Sequence, residues 1–315
     1  MKRICAAVST VVLASALASV AVAETQWGSF DASRINYPTG TLTGSAHSVL
    51  RSIIEANDGV VAAPTPTLTD QYLSGVDVFY TSLLSTNTGT LSDPEKQALR
   101  TWIIGGGTLI VTGDIFPLGA YESFTAPYGV TNWRALTNVG VGSPVAQHPI
   151  TENVNGYGFN TESTYTYGND AKLLGDNGRG DDFMIVMEPA TGFTLGGRIL
   201  VFGDHNMFTN GMINGNDNST LAGNMAVWAG QGPVCEQIKK LKVKCKPNLK
   251  LIGKVRSSLS EGSTLKLTRD GGDERVVVLN KRGKGKATWK RSAPGEHEVC
   301  IVGCPEFCCK AVCNP

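Results

Sequence analysis

The sequence predicts an α/β domain with a largely parallel sheet, followed by a small antiparallel β-domain with disulfides. Three observations carry that expectation. Between residues 46 and 229, helical stripes of apolar residues alternate with short apolar runs, the order expected of α/β architecture. Charge divides the chain: residues 24–233 hold 8 Lys/Arg against 19 Asp/Glu, and residues 234–315 hold 18 against 8. Cysteine divides at the same place, with none from Glu24 to Val234 and seven from Cys235 to Cys313. The near-neutral total therefore conceals an acidic part and a basic one, and the expected domains are 24–233 and 234–315.

The N-terminus reads as a signal for export over residues 1–23. Lys2 and Arg3 precede an apolar run from Ile4 to Val20, and Ala21-Val22-Ala23 is a small-x-small cleavage site. No later segment has the roughly 18 unbroken apolar residues needed to span a bilayer. The expected location is secreted, periplasmic or extracellular, with no transmembrane segment.

In "AHSVLRSIIEAN" (46–57), Val49, Leu50, Ile53 and Ile54 share one helical stripe. "VDVFYTSLL" (76–84) suits a buried strand. "LSDPEKQALRTWIIGGGTLIVTGD" (91–114) is the clearest unit: Ser92 or Asp93 caps a helix, Pro94 takes its first position, and Ala98, Leu99, Trp102 and Ile103 face inward. Gly105–Gly107 follow this helix and precede a strand, the reverse of a phosphate loop, so they read as a C-cap and return. Residues 115–170 are rich in Gly, Asn and Thr and read as long excursions with some short strands. "AKLLGD", "DFMIVMEPA" and "GRILVFGD" give three more strands, and 218–229 a closing helix with Asn218 as its cap.

"VDVFYTSLL", "LSDPEKQALRTWIIGGGTLIVTGD", "HPIT" and "GRILVFGDHNMF … DNSTLAGNMAVW" together resemble the class I glutamine-amidotransferase-like superfold, in a divergent branch of exported bacterial proteins. The resemblance covers about residues 30–230 and implies a three-layer sandwich. It does not carry the chemistry. The first domain has no cysteine to act as nucleophile, and His205 is followed by Asn206 and Met207 rather than by x-Glu. A serine triad lacks its G-x-S-x-G elbow. No catalytic residue and no cofactor is expected.

A ligand site is the better candidate, because open α/β sheets bind ligands outside the carboxyl ends of their strands. Asp114 and Asp204 end predicted strands in similar "TGD" and "FGD" turns, and His205, Asn206, Asp217 and Asn218 stand near in sequence. The plain alternative is that both aspartates bond turn amides. No spacing is diagnostic of a metal: "NGNDNS" (214–219) lacks the glycine of a calcium loop at its sixth position, and Met225 stands where that loop needs glutamate.

From Ile238 short alternating runs separated by Pro, Gly and Asn turns indicate an antiparallel sheet resembling immunoglobulin-like or fibronectin-like modules. Cys235, Cys245, Cys300, Cys304, Cys308, Cys309 and Cys313 are read as disulfides of unknown pairing, Cys245 with Cys300 being one choice, and their odd number leaves one over. Lys281, Arg282, Lys284, Lys286, Trp289 and Lys290 form a basic stretch suited to an anionic polymer such as a cell-surface glycan; sparse aromatics argue against nucleic acid. The alternatives are solubilising lysines and docking on the acidic domain. The expected function is an exported, non-catalytic binding protein with a ligand- or partner-binding α/β platform and a basic attachment module. Its competitor is an extracellular hydrolase or metal-dependent enzyme acting on a glycan or peptide.

Overall fold

Short runs of apolar residues with few polar interruptions form strands that can be covered on both faces. In the computed structural model, which describes residues 24–188, 197–230, 238–258, 264–301 and 304–314, such runs are β2 (Gly59–Val61), β3 (Val78–Tyr80), β4 (Thr108–Thr112) and β9 (Arg198–Phe202), and the mostly polar β1 (Thr25–Ser29) joins them. Every residue of β3, β4 and β9 is buried. The remaining strands of this sheet are β5 (Thr131–Pro144), β6 (Tyr157–Thr166), β7 (Lys172–Asp176) and β8 (Asp182–Met187). The nine strands run in the order β2-β1-β3-β4-β9-β8-β7-β5-β6.

The sheet is mixed, which corrects the expectation of a largely parallel one. Pairings from β2 through β9 are parallel, and those from β9 through β6 are antiparallel. The cause is connectivity. A parallel return needs a crossover, and helices α1 (Ser48–Glu55), α2 (Asp70–Leu73) and α3 (Asp93–Ile104) supply one between successive strands up to β4. Residues 131–187 contain no α-helix, so the chain there returns by hairpins. The 115–170 excursion is also more regular than its composition suggests: it holds α4 (Leu118–Thr125), the 14-residue β5 and the 10-residue β6.

Helices cover both faces. Leu50 and Ile54 of α1 pack with Leu221, Met225 and Trp228 of α5 (Asn218–Gly230) against Tyr80, Ile110, Leu200 and Phe202. On the other face Leu73, Leu99, Ile103 and Phe124 pack on Phe79, Leu109, Val111 and Val201. The sharp exit from α3 requires glycine: Gly106 has φ 121°, and a Cβ on Gly107 would lie 2.2 Å from the Trp102 ring. At the other end of α3, Glu95 Oε2 accepts from the Ser92 amide at 2.9 Å, while Oε1 accepts from the Leu68 amide at 3.1 Å and from Arg34 at 2.7 Å. Burial alone would raise the Glu95 carboxyl, but Arg34, Ser92 and Leu68 hold it below its ordinary value.

The C-terminal strands form two antiparallel sheets, β10 (Ile238–Lys246), β11 (Lys250–Ser257) and β14 (Lys284–Trp289) in one, and β13 (Asp273–Val278), β12 (Thr264–Arg269), β15 (Gly295–Ile301) and β16 (Cys304–Cys313) in the other. Leu251, Val255 and Trp289 of the first share an apolar cluster with Leu267, Val277 and Val299 of the second. Two disulfides are described, Cys245–Cys313 and Cys300–Cys308. Cys245 does not pair with Cys300: Cys300 faces Cys308 in the β15–β16 register, and Cys245 reaches Cys313 from the other sheet at a Cα separation of 5.1 Å. Cys304 is also disulfide-bonded, and Cys309 is the half-buried free thiol. These disulfides point to an oxidising compartment. Among the described residues no helix is long and apolar enough to cross a membrane. The export signal of residues 1–23, Cys235 and the domain division at 233/234 lie outside the described residues.

Two buried ionisable groups make this core sensitive to substitution and to pH. Glu95→Gln leaves the Arg34 charge buried without its counter-ion, and the expected cost is about 3–5 kcal/mol in urea denaturation. His47, fully buried with its ring edge-on to Tyr80, has its pKa pushed down to about 4 by burial and then by the charge of His205. A histidine depressed in the folded state takes up its proton more readily when unfolded. Its contribution is intact above the ordinary value of 6.5 and is lost as pH falls toward 4, a loss of about 3 kcal/mol. His47→Gln flattens the stability–pH curve over that window if this histidine is its source, and an unchanged curve places the acid sensitivity elsewhere.

Candidate functional site

Parallel pairing of β4 with β9 sets Thr112 beside Phe202 at the carboxyl ends of the two strands. Each strand then takes the same step, one glycine and one aspartate, so the register carries Asp114 and Asp204 out side by side. The glycines are needed for close approach. A Cβ on Gly113 would lie 2.6 Å from both Ser163 Oγ and the Trp133 ring, and one on Gly203 would lie 2.4 Å from the Ser163 carbonyl. The two turns are stitched together, since Gly113 N donates to Phe202 O at 2.8 Å and His205 N donates to Gly113 O at 2.7 Å.

Asp114, Asp204 and His205 are all buried, and one ligand atom of each lies within 4.8 Å of the others. Asp114 Oδ2 is 2.8 Å from His205 Nδ1, and Asp204 Oδ1 is 3.8 Å from it. At neither separation does the ring N–H align as a donor: His205 Nδ1 is a buried nitrogen without a hydrogen-bond partner. The aspartates also make the turn bonds expected of their residue type. Asp114 Oδ1 accepts from the Ile115 amide at 2.5 Å, and Asp204 Oδ1 accepts from the Asn206 amide at 2.8 Å. Turn geometry and convergence therefore coexist.

Asn206 joins the cluster, its Nδ2 donating to Asp204 Oδ1 at 2.9 Å and to Asn160 O at 2.8 Å and lying 3.4 Å from Asp114 Oδ2. Asp217 and Asn218 do not join it. Asp217 accepts from the amides of Asn155 and Gly156, and the fully buried Asn218 bonds both backbone groups of Gly158 and the carbonyls of Met207 and Met212. Asn218 is also not a cap: it is the first residue of α5, and its side chain ties the helix start to β6.

Three contributors escaped sequence reasoning, because each arrives from a distant segment. Tyr37 Oη stands 3.5 Å from His205 Nε2, on a turn anchored where Ser82 Oγ donates to Gly40 O at 2.6 Å. The Asn160 amide donates to Asp204 Oδ2 at 2.6 Å, and Thr161 Oγ1 lies 3.5 Å from Asp114 Oδ1. Thr161 has φ 69°, a left-handed conformation costly for a β-branched residue, at the irregularity where β6 leaves its register with β5. Burial, and behind it the charge of Asp114, push the Asp204 carboxyl well above its ordinary value against hydrogen bonds from Asn160 and Asn206. Burial and then the two aspartates raise the Tyr37 phenol.

The basic stretch resolves into a face. Lys240, Arg256 and Lys284 are cross-strand neighbours in β10, β11 and β14, as are Lys242, Lys254 and Lys286. All six are exposed, and the three strands contain no acidic residue. Lys281, Arg282 and Lys290 are exposed nearby, whereas Trp289 is buried in the core with its Nε1 donating to Asp273 O, so it offers no stacking surface.

Among known proteins, no curated protein matches this chain. The N-terminal domain of mmIFT52 is similar in structure, with 14% identity over 66% of this chain and 98% of that one and a TM-score of 0.52. Cytoplasmic protein STM1381 from Salmonella typhimurium LT2 aligns at 13% identity over 64% of this chain and 97% of that one, TM-score 0.47. Cytoplasmic protein STM3548 from Salmonella typhimurium aligns at 10% identity over 66% and 96%, TM-score 0.47. At such identities the first likeness describes the fold alone, and the other two carry nothing further. The half-antiparallel sheet and the family match overturn the resemblance to the class I glutamine-amidotransferase-like superfold, which rested on element order and two short signatures. Residues 46–226 match the family described as Domain of unknown function (DUF4350), and the chain belongs to that family.

Proposed function

We propose that this is an exported binding protein whose basic β-domain attaches to an anionic extracellular polymer while its α/β domain presents a polar ligand site. The observation that carries the attachment is the pair of like-charged rows, Lys240–Arg256–Lys284 and Lys242–Lys254–Lys286, on strands without an acidic residue. Like charges directly opposite on a sheet cost stability, and an edge needs far fewer lysines to stay soluble. A flat array of cations offers a polyanion several contacts at once, each of about 0.2–1 kcal/mol. The disulfides and the cleavable-looking N-terminus support an oxidising, extracytoplasmic setting.

A second reading, an extracellular hydrolase or metal-dependent enzyme acting on a glycan or peptide, is favoured by one specific observation. Asp114, Asp204 and His205 share a site instead of diverging, as groups with a common chemical task must.

The attachment is tested with polygalacturonate as the probe. The wild-type protein binds in low salt and releases as ionic strength rises. Lys254→Gln, Lys284→Gln and Lys286→Gln combined weaken binding about tenfold, if each lost contact is worth ~0.5 kcal/mol. The same variant melts no lower than wild type, because relief of like-charge pairs offsets the change. Equal affinity of variant and wild type rejects the attachment. Loss of hydrolysis of glycan or peptide substrates in Asp114→Asn supports the second reading, and no hydrolysis by the wild type rejects it.

A further inference from the structure

We infer that Asp114, Asp204 and His205 are the protein ligands of a divalent first-row transition cation of the Zn2+ or Mn2+ kind. The inference deepens the second reading above and does not depend on polymer attachment. Geometry comes first. Donors bound to one ion at roughly 2.0–2.2 Å and at ordinary coordination angles lie roughly 2.8–3.6 Å apart; the His205 Nδ1 separation from Asp114 Oδ2, 2.8 Å, falls in that range, and that from Asp204 Oδ1, 3.8 Å, lies just beyond it. A second observation is independent of the spacing. His205 is 2% exposed, and its Nδ1 points among the carboxylates without making a hydrogen bond. Buried imidazole nitrogens are ordinarily satisfied, and one left open among oxygen donors is arranged as a ligand.

Charge gives the same answer. Asp114 and Asp204 are 4% and 0% exposed, and among the described residues no lysine or arginine forms an ion pair with either. Two adjacent carboxylates taken out of water cost several kcal/mol each unless compensated. One imidazolium offsets a single charge, and a divalent cation offsets both.

The surrounding hydrogen bonds orient ligands. Ile115 N and Asn160 N hold the oxygens Asp114 Oδ1 and Asp204 Oδ2, and the Asn206 amide bonds Asp204 and approaches Asp114. Tyr37 Oη stands 3.5 Å from the other ring nitrogen, His205 Nε2, the place of the outer partner that a metal-binding histidine keeps. Two carboxylate oxygens and one imidazole suit a borderline cation, and two oxygens fall well short of the six to eight that calcium takes. Three protein ligands are fewer than a zinc-like ion takes, the pattern of a working site rather than a closed structural one.

The full chain, stripped with chelator and dialysed, is titrated with Zn2+ and with Mn2+ by calorimetry, and its metal content is measured after equilibration. One equivalent of either ion bound by wild type, with affinity at least tenfold lower in His205→Gln and in Asp204→Asn, is the expected result. Asn206→Ala, which keeps all three ligands, lowers affinity by about 10–100-fold, and covers the case in which a ligand variant does not fold. Cys309→Ser retains the wild-type affinity. The added ion raises the wild-type melting temperature and leaves that of His205→Gln unmoved. No bound metal in wild type, or undiminished binding in both His205→Gln and Asn206→Ala, overturns the inference. Hydrolysis by the metal-free protein, lost in Asp114→Asn, would leave the second reading standing while the metal fails.

Discussion

The register of β4 against β9 is the constraint on which the site depends. Parallel strands paired residue for residue from Thr108–Arg198 to Thr112–Phe202 deliver their next residues at the same level of the sheet. Both continue as Gly-Asp, so the same register that fills the core with Ile110, Val111, Leu200 and Val201 also sets two carboxylates shoulder to shoulder at its edge. A slip of one residue would reverse every side chain between the two faces, and with both faces close-packed each would meet a space shaped for another. The site is thus held by the packing beneath it, and Tyr37, Asn160 and Thr161 close over a geometry the core has already decided.

The two halves of the molecule handle repulsion between like charges differently. On β10, β11 and β14 the lysines stand in water, where salt and solvent screen them and each opposed pair costs a fraction of a kcal/mol. At the Asp114–Asp204 edge the screening is gone, because both carboxylates are buried. The same sign problem is there worth several kcal/mol. Under the proposed function the exposed array would meet a merely complementary polymer, whereas the buried pair would meet a partner that enters the site.

Helices α1, α3 and α5 and strands β3 and β4 were legible because each follows from local chemistry: the Ser92–Glu95 start of α3, its Gly105–Gly107 end, and the apolar stripes of α1 and α5; the mostly polar β1 and the four-residue α2 were not. The antiparallel half was not. Residues 131–166 form a long hairpin whose first strand, β5, alternates only partly, with Val139 and Val141 exposed, so no apolar period announces it. Element order up to that point is common to many α/β sheets, and that is why an amidotransferase-like reading followed from it and failed.

The sequence by itself determined the division into an acidic α/β part and a basic, cysteine-rich β part, since net charge and cysteine count are sums over the chain that folding cannot change. It also marked Asp114, Asp204, His205 and Asn206, because a strand end followed by Gly-Asp is a local signal. Tertiary structure alone decided which of the marked residues meet. It sent Asp217 and Asn218 to backbone duties near β6, buried Trp289 and paired Cys245 with Cys313. It also brought in Tyr37, Asn160 and Thr161 from segments up to 168 residues from His205. The physical reason is that a site is made of distances, and distances between remote residues are fixed by strand register and packing rather than by spacing along the chain.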